Sequence, residues 1–391
     1  MQTAGIIAEY NPFHLGHAWH MAETRRLLGG RAAVVCVMSG HWVQRGECAL
    51  ADKWSRASAA LMGGADLVLE LPTPWAMASA EHFARGAAAL LTATGVVDVL
   101  SFGSEAGCLP PLQAVAETLD SEPYRAGLQR GLDAGMTFAA ARQAAVRDLL
   151  GEEGAAPLGS PNNNLGVEYL RALRALQSPL RPLTVPRRGA AHDGPAAEGF
   201  ASASALRRMI RAGEAERAEP YLTAPWAGEA ADMRLIDRAV LARLRTMEEA
   251  QWAALPDGGG AEGLPARLAE AARQADSLEG FYALAKTRRY PHARLRRLAL
   301  AAFLGLRAAE RPARPPYLRV LGLSEMGREL LRRMKGACPL PVITKPAQAR
   351  ELDGPARALF EAEARYTDLY GLCFPTPRPC GAEWTHSPVV L

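Results

Sequence analysis

The first half of the chain alternates two hydrophobic periods. "TAGIIAEY", "AAVVCVMSG", "DLVLELP" and "VVDVLSFGSE" are short, nearly continuous apolar runs bounded by Gly, Pro or polar residues. Runs of this length and valine content predict strands buried on both faces. Between them, the stretch ending near Leu28, "DKWSRASAALMGGA" and "SAEHFARGAAALLTATG" place apolar residues at helical spacing, with Gly95 as a C′ stop. Two more helical stretches, "GMTFAAARQAAVRDLLG" and "NNLGVEYLRALRAL", lead to a fifth strand in "PLTVPRRGA" that runs into a basic loop. Strands alternating with helices predict a parallel α/β sheet with right-handed crossovers.

Beyond about residue 215 the strand signal fades. "LIDRAVLARLRTM", "LPARLAEAARQ", "LEGFYALAKTRRY" and "HARLRRLALAAFLGL" are helical in period. The pattern predicts a Rossmann-like domain over residues 1–215 and a mainly helical, basic domain over 216–391. One further strand–helix–strand unit is read in "PYLRVLGLSEMGRELLRRMK" with "LPVITK".

The 391 residues favour two domains over one core. Hydrophobic residues make up 49% and charged residues 22%, which excludes a disordered chain. No apolar run spans a bilayer, and the N-terminus lacks the pattern of a secretory signal. The six cysteines include no CxxC pair, so they read as reduced thiols and not as a zinc site. The expectation is a cytoplasmic protein with no membrane partner. A net charge of +4 permits a polyanionic partner without requiring one.

Candidate chemistry concentrates at "GIIAEYNPFHLGHAWH", where the first strand gives way to a helix. Asn11 is placed to cap that helix and Pro12 to occupy an early position, so that it begins near His14. Its first turn leaves N–H groups free, and the helix dipole adds positive potential, a ready phosphate site. His14 and His17 share one face, and Gly16 permits close approach of a nucleotide to the backbone. A surface helix with incidental histidines is the competing reading. Zinc binding is disfavoured by the spacing and the lack of a third ligand, and no metal-ligating residue is assigned.

These residues resemble the HxGH signature of nucleotidylyl transferases. With "MSGHWVQRGECALADKWSRASAAL", "GADLVLELP", "SAEHFARGA", "FGSE", "PNNNLGVEYL" and "ASASALRR", they resemble the bacterial tRNA(Met) cytidine acetate ligase family over residues 2–210, and more loosely over "LAKTRRYPHARLRRL". The resemblance implies formation of acetyl-adenylate from acetate and ATP, with Mg²⁺ on the phosphates. It then implies acetylation of N4 of the wobble cytidine in elongator tRNA(Met), and no DNA partner.

The resemblance further implies an ATP cradle from Ile7, Ala8, Glu9, Tyr10, Asn11, Pro12, Phe13, His14, Leu15, Gly16, His17, Ala18, Trp19 and His20. To this it adds nucleotide contacts from Gly103, Asn162 and Arg187 or Arg188. Physical sense agrees with these. A glycine at a strand's carboxyl end admits a ligand, Asn offers donor and acceptor, and Arg is a permanent charge. Ser202 and Ser204 are expected to donate to phosphate, one of them alternatively capping a helix. His14 and His17 would stabilise charge on the leaving phosphates, while Arg45 or Lys53 would hold pyrophosphate or steer acetate. Lys286, Arg288, Arg289, Arg294 and Arg297 are candidate RNA contacts, a solvated helix face being the alternative. Two rival functions stay open. One is a nucleotidyltransferase acting on a small metabolite, and the other is a non-catalytic RNA-binding protein.

Overall fold

A computed structural model describes residues 1–187, 199–259 and 263–391. Ten strands lie among the described residues. β1 is Thr3–Ala8, β2 Ala33–Ser39, β3 Trp42–Val43, β4 Glu47–Cys48 and β5 Leu67–Leu71. β6 is Val99–Ser104, β7 Arg181–Pro186, β8 Leu318–Leu323, β9 Val342–Ile343 and β10 Val389–Val390. The main sheet has the order β10-β8-β5-β2-β1-β6-β7, with β9 attached to β8. From β5 to β7 all pairing is parallel, as the continuous apolar runs predict, and all seven residues of β2 are buried. The chain winds outward from β1 through β2 to β5, then returns to the other side with β6 and β7. That reversal is the switch point of a doubly wound sheet, and it lies between β1 and β6.

The sheet does not end where the strand pattern fades. β8 adds antiparallel to β5, with Leu67 opposite Leu323, and β10 then pairs with β8. All six residues of β8 are buried, including Arg319, whose guanidinium pairs with Glu383. The segment after residue 215 therefore contributes both helices and an edge of the first domain's sheet. Its helices build a core around Trp252, Phe281 and Leu298, into which Trp42 and Cys48 of the β3–β4 hairpin also pack. A hairpin from the first half of the chain is thus part of the core that the later helices build. Among the described residues no helix is long and apolar enough to cross a membrane.

Two local features fix the sheet edge beneath the site. Arg56 is buried and donates to four carbonyls, those of Glu9, Ser39, Gly40 and Ala51, tying together the segments that follow β1 and β2. Gly46 turns the β3–β4 hairpin at φ 74°. A Cβ there would lie 2.6 Å from the Arg296 and Arg297 backbone. Gly46→Ala is expected to cost at least about 1–2 kcal/mol from left-handed strain alone, read as a lower urea midpoint.

Candidate active site

The cleft opens at the carboxyl ends of β1 and β6, at the switch point, with a volume of about 400 Å³. The helix Leu15–Leu27 starts at its mouth, and its N-cap is His14, not Asn11. Asn11 Oδ1 instead accepts from Leu50 N at 2.7 Å, three residues before the cap. His14 Nδ1 accepts from Gly16 N at 3.1 Å, and His17 Nδ1 accepts from His14 N at 3.3 Å. The two rings stack with centroids 3.7 Å apart. With both Nδ1 atoms accepting, each neutral ring carries its proton on Nε2. Gly16 is required for a reason the sequence did not disclose. A Cβ at that position would come within 2.9 Å of His14 Cε1.

Burial, followed by the charge of Arg187, lowers His14 and His20 to about 4. Burial and neighbouring His14 likewise lower His17. The three rings are therefore neutral at pH 7, and the cations of the site are arginines. His20 Nε2 lies 3.1 Å from Ser101 Oγ, which anchors the helix to β6.

Unfolded histidine takes its proton near pH 6.5, but folded His14 and His20 take theirs only near pH 4. Between those values the unfolded state binds more protons, so stability falls as pH falls. Thermal melts from pH 7 to pH 5 are expected to drop more steeply in the wild type than in His20→Asn. Parallel curves would remove His20 from the account.

Most of the residues expected at the cradle do line the cleft. Ile7, Ala8, Glu9, Tyr10, Asn11, His14, Gly16, His17, Trp19 and His20 are there, joined by Arg45, Gly103, Asn162, Arg187, Ser202 and Ser204. Four members of the N-terminal run are not. Pro12 and Phe13 turn inward, the Phe13 ring filling the space beside Gly63 and edging Tyr10 at 4.9 Å. Leu15 and Ala18 lie outside the lining because a helix presents only part of its circumference to one cleft. Arg188 lies outside the described residues.

Several polar wall residues have defined partners. Asn162 Nδ2 donates to Glu105 Oε1 at 2.6 Å, leaving its carbonyl as the acceptor on offer. Ser202 caps the helix Ala203–Arg211, accepting from Ala205 N at 3.2 Å. Arg207 Nη1 donates to Asn11 O at 2.8 Å, and its Nη2 donates to Ser204 Oγ at 3.2 Å. Glu9 Oε1 accepts from Gln44 N at 2.8 Å, and burial raises its carboxyl group above the ordinary value. Glu47 had no signal of its own in the sequence, yet it lines the cleft and pairs with Arg296 at 3.2 Å.

Lys53 is not at the cleft. It is wholly buried, with Nζ 2.7 Å from Glu70 and 2.5 Å from Glu383. Asp52 caps its helix, and the first turn points Lys53 under the sheet, toward a carboxylate supplied from 330 residues downstream. It is a structural cation and neither holds pyrophosphate nor steers acetate from that position. The basic stretch also divides. Lys286, Arg288 and Arg289 are exposed. Arg294 donates to Asp257 O, and Arg297 pairs with Asp257 at 3.6 Å, so one helix face spends both on holding a loop. Tyr290 is buried and offers no open ring for stacking.

A doubly wound sheet with HLGH at its switch point, backed by neutral imidazoles and arginines, is the site of a nucleotidyl transferase. The model of the HIGH Nucleotidyl Transferase family matches residues 1–382, and the chain belongs to that family. Relatives named tRNA(Met) cytidine acetate ligase include that of Caldanaerobacter subterraneus subsp. tengcongensis, 36% identical over 96% of each chain. The relative from Syntrophotalea carbinolica is 39% identical over 96% of this chain and 95% of its own. The crystal structure of Thermotoga maritima TmcAL bound with alpha-thio ATP matches with a TM-score of 0.90 at 30% identity, covering all of both chains.

Proposed function

We propose that this chain is a tRNA(Met) cytidine acetate ligase. In this reading acetate attacks the α-phosphate of ATP, expelling pyrophosphate and leaving acetyl-adenylate. The N4 amine of the wobble cytidine of elongator tRNA(Met) then attacks the acetyl carbonyl, giving N4-acetylcytidine and AMP. The observation that carries the reading is the His14–His17 pair, whose stacked rings, each with Nδ1 accepting from a backbone N–H, set two Nε2–H donors at a helix N-terminus beside Arg187. Donors aimed where phosphate charge develops, together with the helix dipole, supply what such a displacement needs. Neutral rings donate without repelling the arginines around them.

Gly103 and Asn162 would face the base and ribose. Arg187, Ser202, Ser204 and Arg45 would face the phosphates and acetate. Among the described residues no three His, Cys, Asp or Glu side chains converge as a metal cage. Mg²⁺ carried on the triphosphate would neutralise charge on its oxygens. A chain of this kind would work in the cytoplasm, where ATP and tRNA are.

The test is incubation of the protein with ATP, Mg²⁺ and radiolabelled acetate, with and without elongator tRNA(Met), followed by nucleoside analysis. ATP-dependent label in N4-acetylcytidine is expected. ATP consumed only with another small acceptor would overturn the reading in favour of a metabolite nucleotidyltransferase.

A further inference from the structure

A second groove of about 690 Å³ adjoins the cleft and shares four of its walls, Arg45, Glu47, Ser204 and Arg207. We infer that this groove receives the acceptor RNA as an unpaired nucleotide with its flanking phosphates. The inference rests on the ligase reading above.

Charge comes first. Besides Arg45 and Arg207, the groove is lined by Arg208, Arg211, Arg234 and Arg296, against the carboxylates of Glu47, Asp232 and Glu279. Six guanidinium groups around one groove, facing three carboxylates, is an excess suited to a polyanion. Two of the arginines have unspent capacity. Arg208 is exposed and has no partner among the described residues. Arg211 donates through Nε to Ala231 O and faces Glu47 through Nη1 at 3.9 Å, while its Nη2 is buried without a hydrogen-bond partner. A guanidinium nitrogen left so is costly unless a ligand completes it.

Position comes second. Arg207 lines both spaces and donates to the carbonyl of Asn11, at the entrance to the HLGH turn. The groove therefore meets the cleft at its phosphate end, away from Gly103 and Asn162. A nucleotide entering by this route approaches the α-phosphate side, where an adenylate would be attacked. The groove's far wall belongs to the helical half, through Tyr282 and Arg296. This gives that half a function at the reaction centre, which the exposed stretch of Lys286, Arg288 and Arg289 does not need to supply. The volume lies within the range of sites that enclose a small ligand and is too small to hold an RNA duplex, which favours an unpaired segment.

The experiment compares Arg208→Glu and Arg234→Glu with Lys286→Glu and Arg289→Glu in the full-length protein. The probe is a fluorescein-labelled RNA hairpin carrying the anticodon loop of elongator tRNA(Met), followed by anisotropy as salt is varied. The steady-state KM for tRNA and for ATP is measured in parallel. The groove variants are expected to weaken hairpin binding about tenfold or more each and to reduce the salt slope by roughly one. Their KM for tRNA rises while their KM for ATP moves less than about twofold, and the loop variants change binding little. Weakened binding in the loop variants alone would overturn the inference. So would a raised KM for ATP in the groove variants, which would make the groove a path for pyrophosphate. Wild-type protein that binds the hairpin through Arg208 and Arg234 yet never acetylates it would refute the ligase reading while leaving the groove an RNA site.

Discussion

Removing the imidazole of His14 or His17 is expected to lower acetate-dependent ATP–pyrophosphate exchange about 10²–10³-fold, the effect of deleting one preorganised donor to developing phosphate charge. The design of the variant matters, because His14 also caps the helix Leu15–Leu27 and accepts from Gly16 N. Alanine would remove cap and donor together, costing about 1 kcal/mol of stability from the cap alone. His14→Asn is the sharper probe. Asparagine is a good N-cap, so the helix keeps its start while the Nε2–H disappears. Exchange should collapse in His14→Asn while the urea midpoint stays close to wild type. The same holds for His17, except that its Nδ1 bond to His14 N is lost and the His14 ring loses its stacking partner. Undiminished exchange in both variants would remove these rings from the phosphate site.

Lys53→Ala is expected to be among the most destabilising single substitutions in the chain, at about 3–5 kcal/mol, because it strands buried carboxylates. Lys53, Glu70, Glu383 and Arg319 form one buried group of charges. Despite burial, the carboxylates of Glu383 and Glu70 hold the Lys53 ammonium above its ordinary value. Glu363, which accepts from Thr73, interacts electrostatically with the same group, and burial followed by the charge of Glu70 pushes it up to about 8. Lys53 and Arg319 are the cations that face the carboxyl groups of Glu70 and Glu383. Removing Lys53 unbalances that set. The measurement is the urea midpoint of Lys53→Ala against Lys53→Met/Glu70→Gln, in which one orphaned carboxylate is also neutralised and part of the loss should return. A Lys53→Ala protein of normal stability with a raised KM for acetate would restore Lys53 to the site and refute its structural role.

The contrast between these two predictions marks how far the sequence reaches. Local chemistry was legible. The parallel strands were visible as continuous apolar runs, because β2 and its neighbours are covered on both faces. The HLGH turn was visible because backbone N–H groups, a helix start and paired imidazoles are all specified within a few residues. Gly103, Asn162, Arg187 and Ser204 then fall at the same cleft, as strand ends and helix starts on one side of a parallel sheet must.

What the sequence could not settle depends on where distant segments meet. Lys53 and Arg45 look equally available in "QRGECALADKWSR", yet one is sealed beneath the sheet and the other stands at an exposed hairpin turn. The difference lies in Glu383, which reaches Lys53 only because β8 joins β5 from the far end of the chain. Arg294 and Arg297 read as free basic residues until Asp257 is brought against them. A side chain's type and spacing follow from the chain itself. Whether its charge faces solvent, a ligand or a buried partner is decided by long-range packing, because the low dielectric of the interior makes that partner obligatory and the sequence does not say which one it will be.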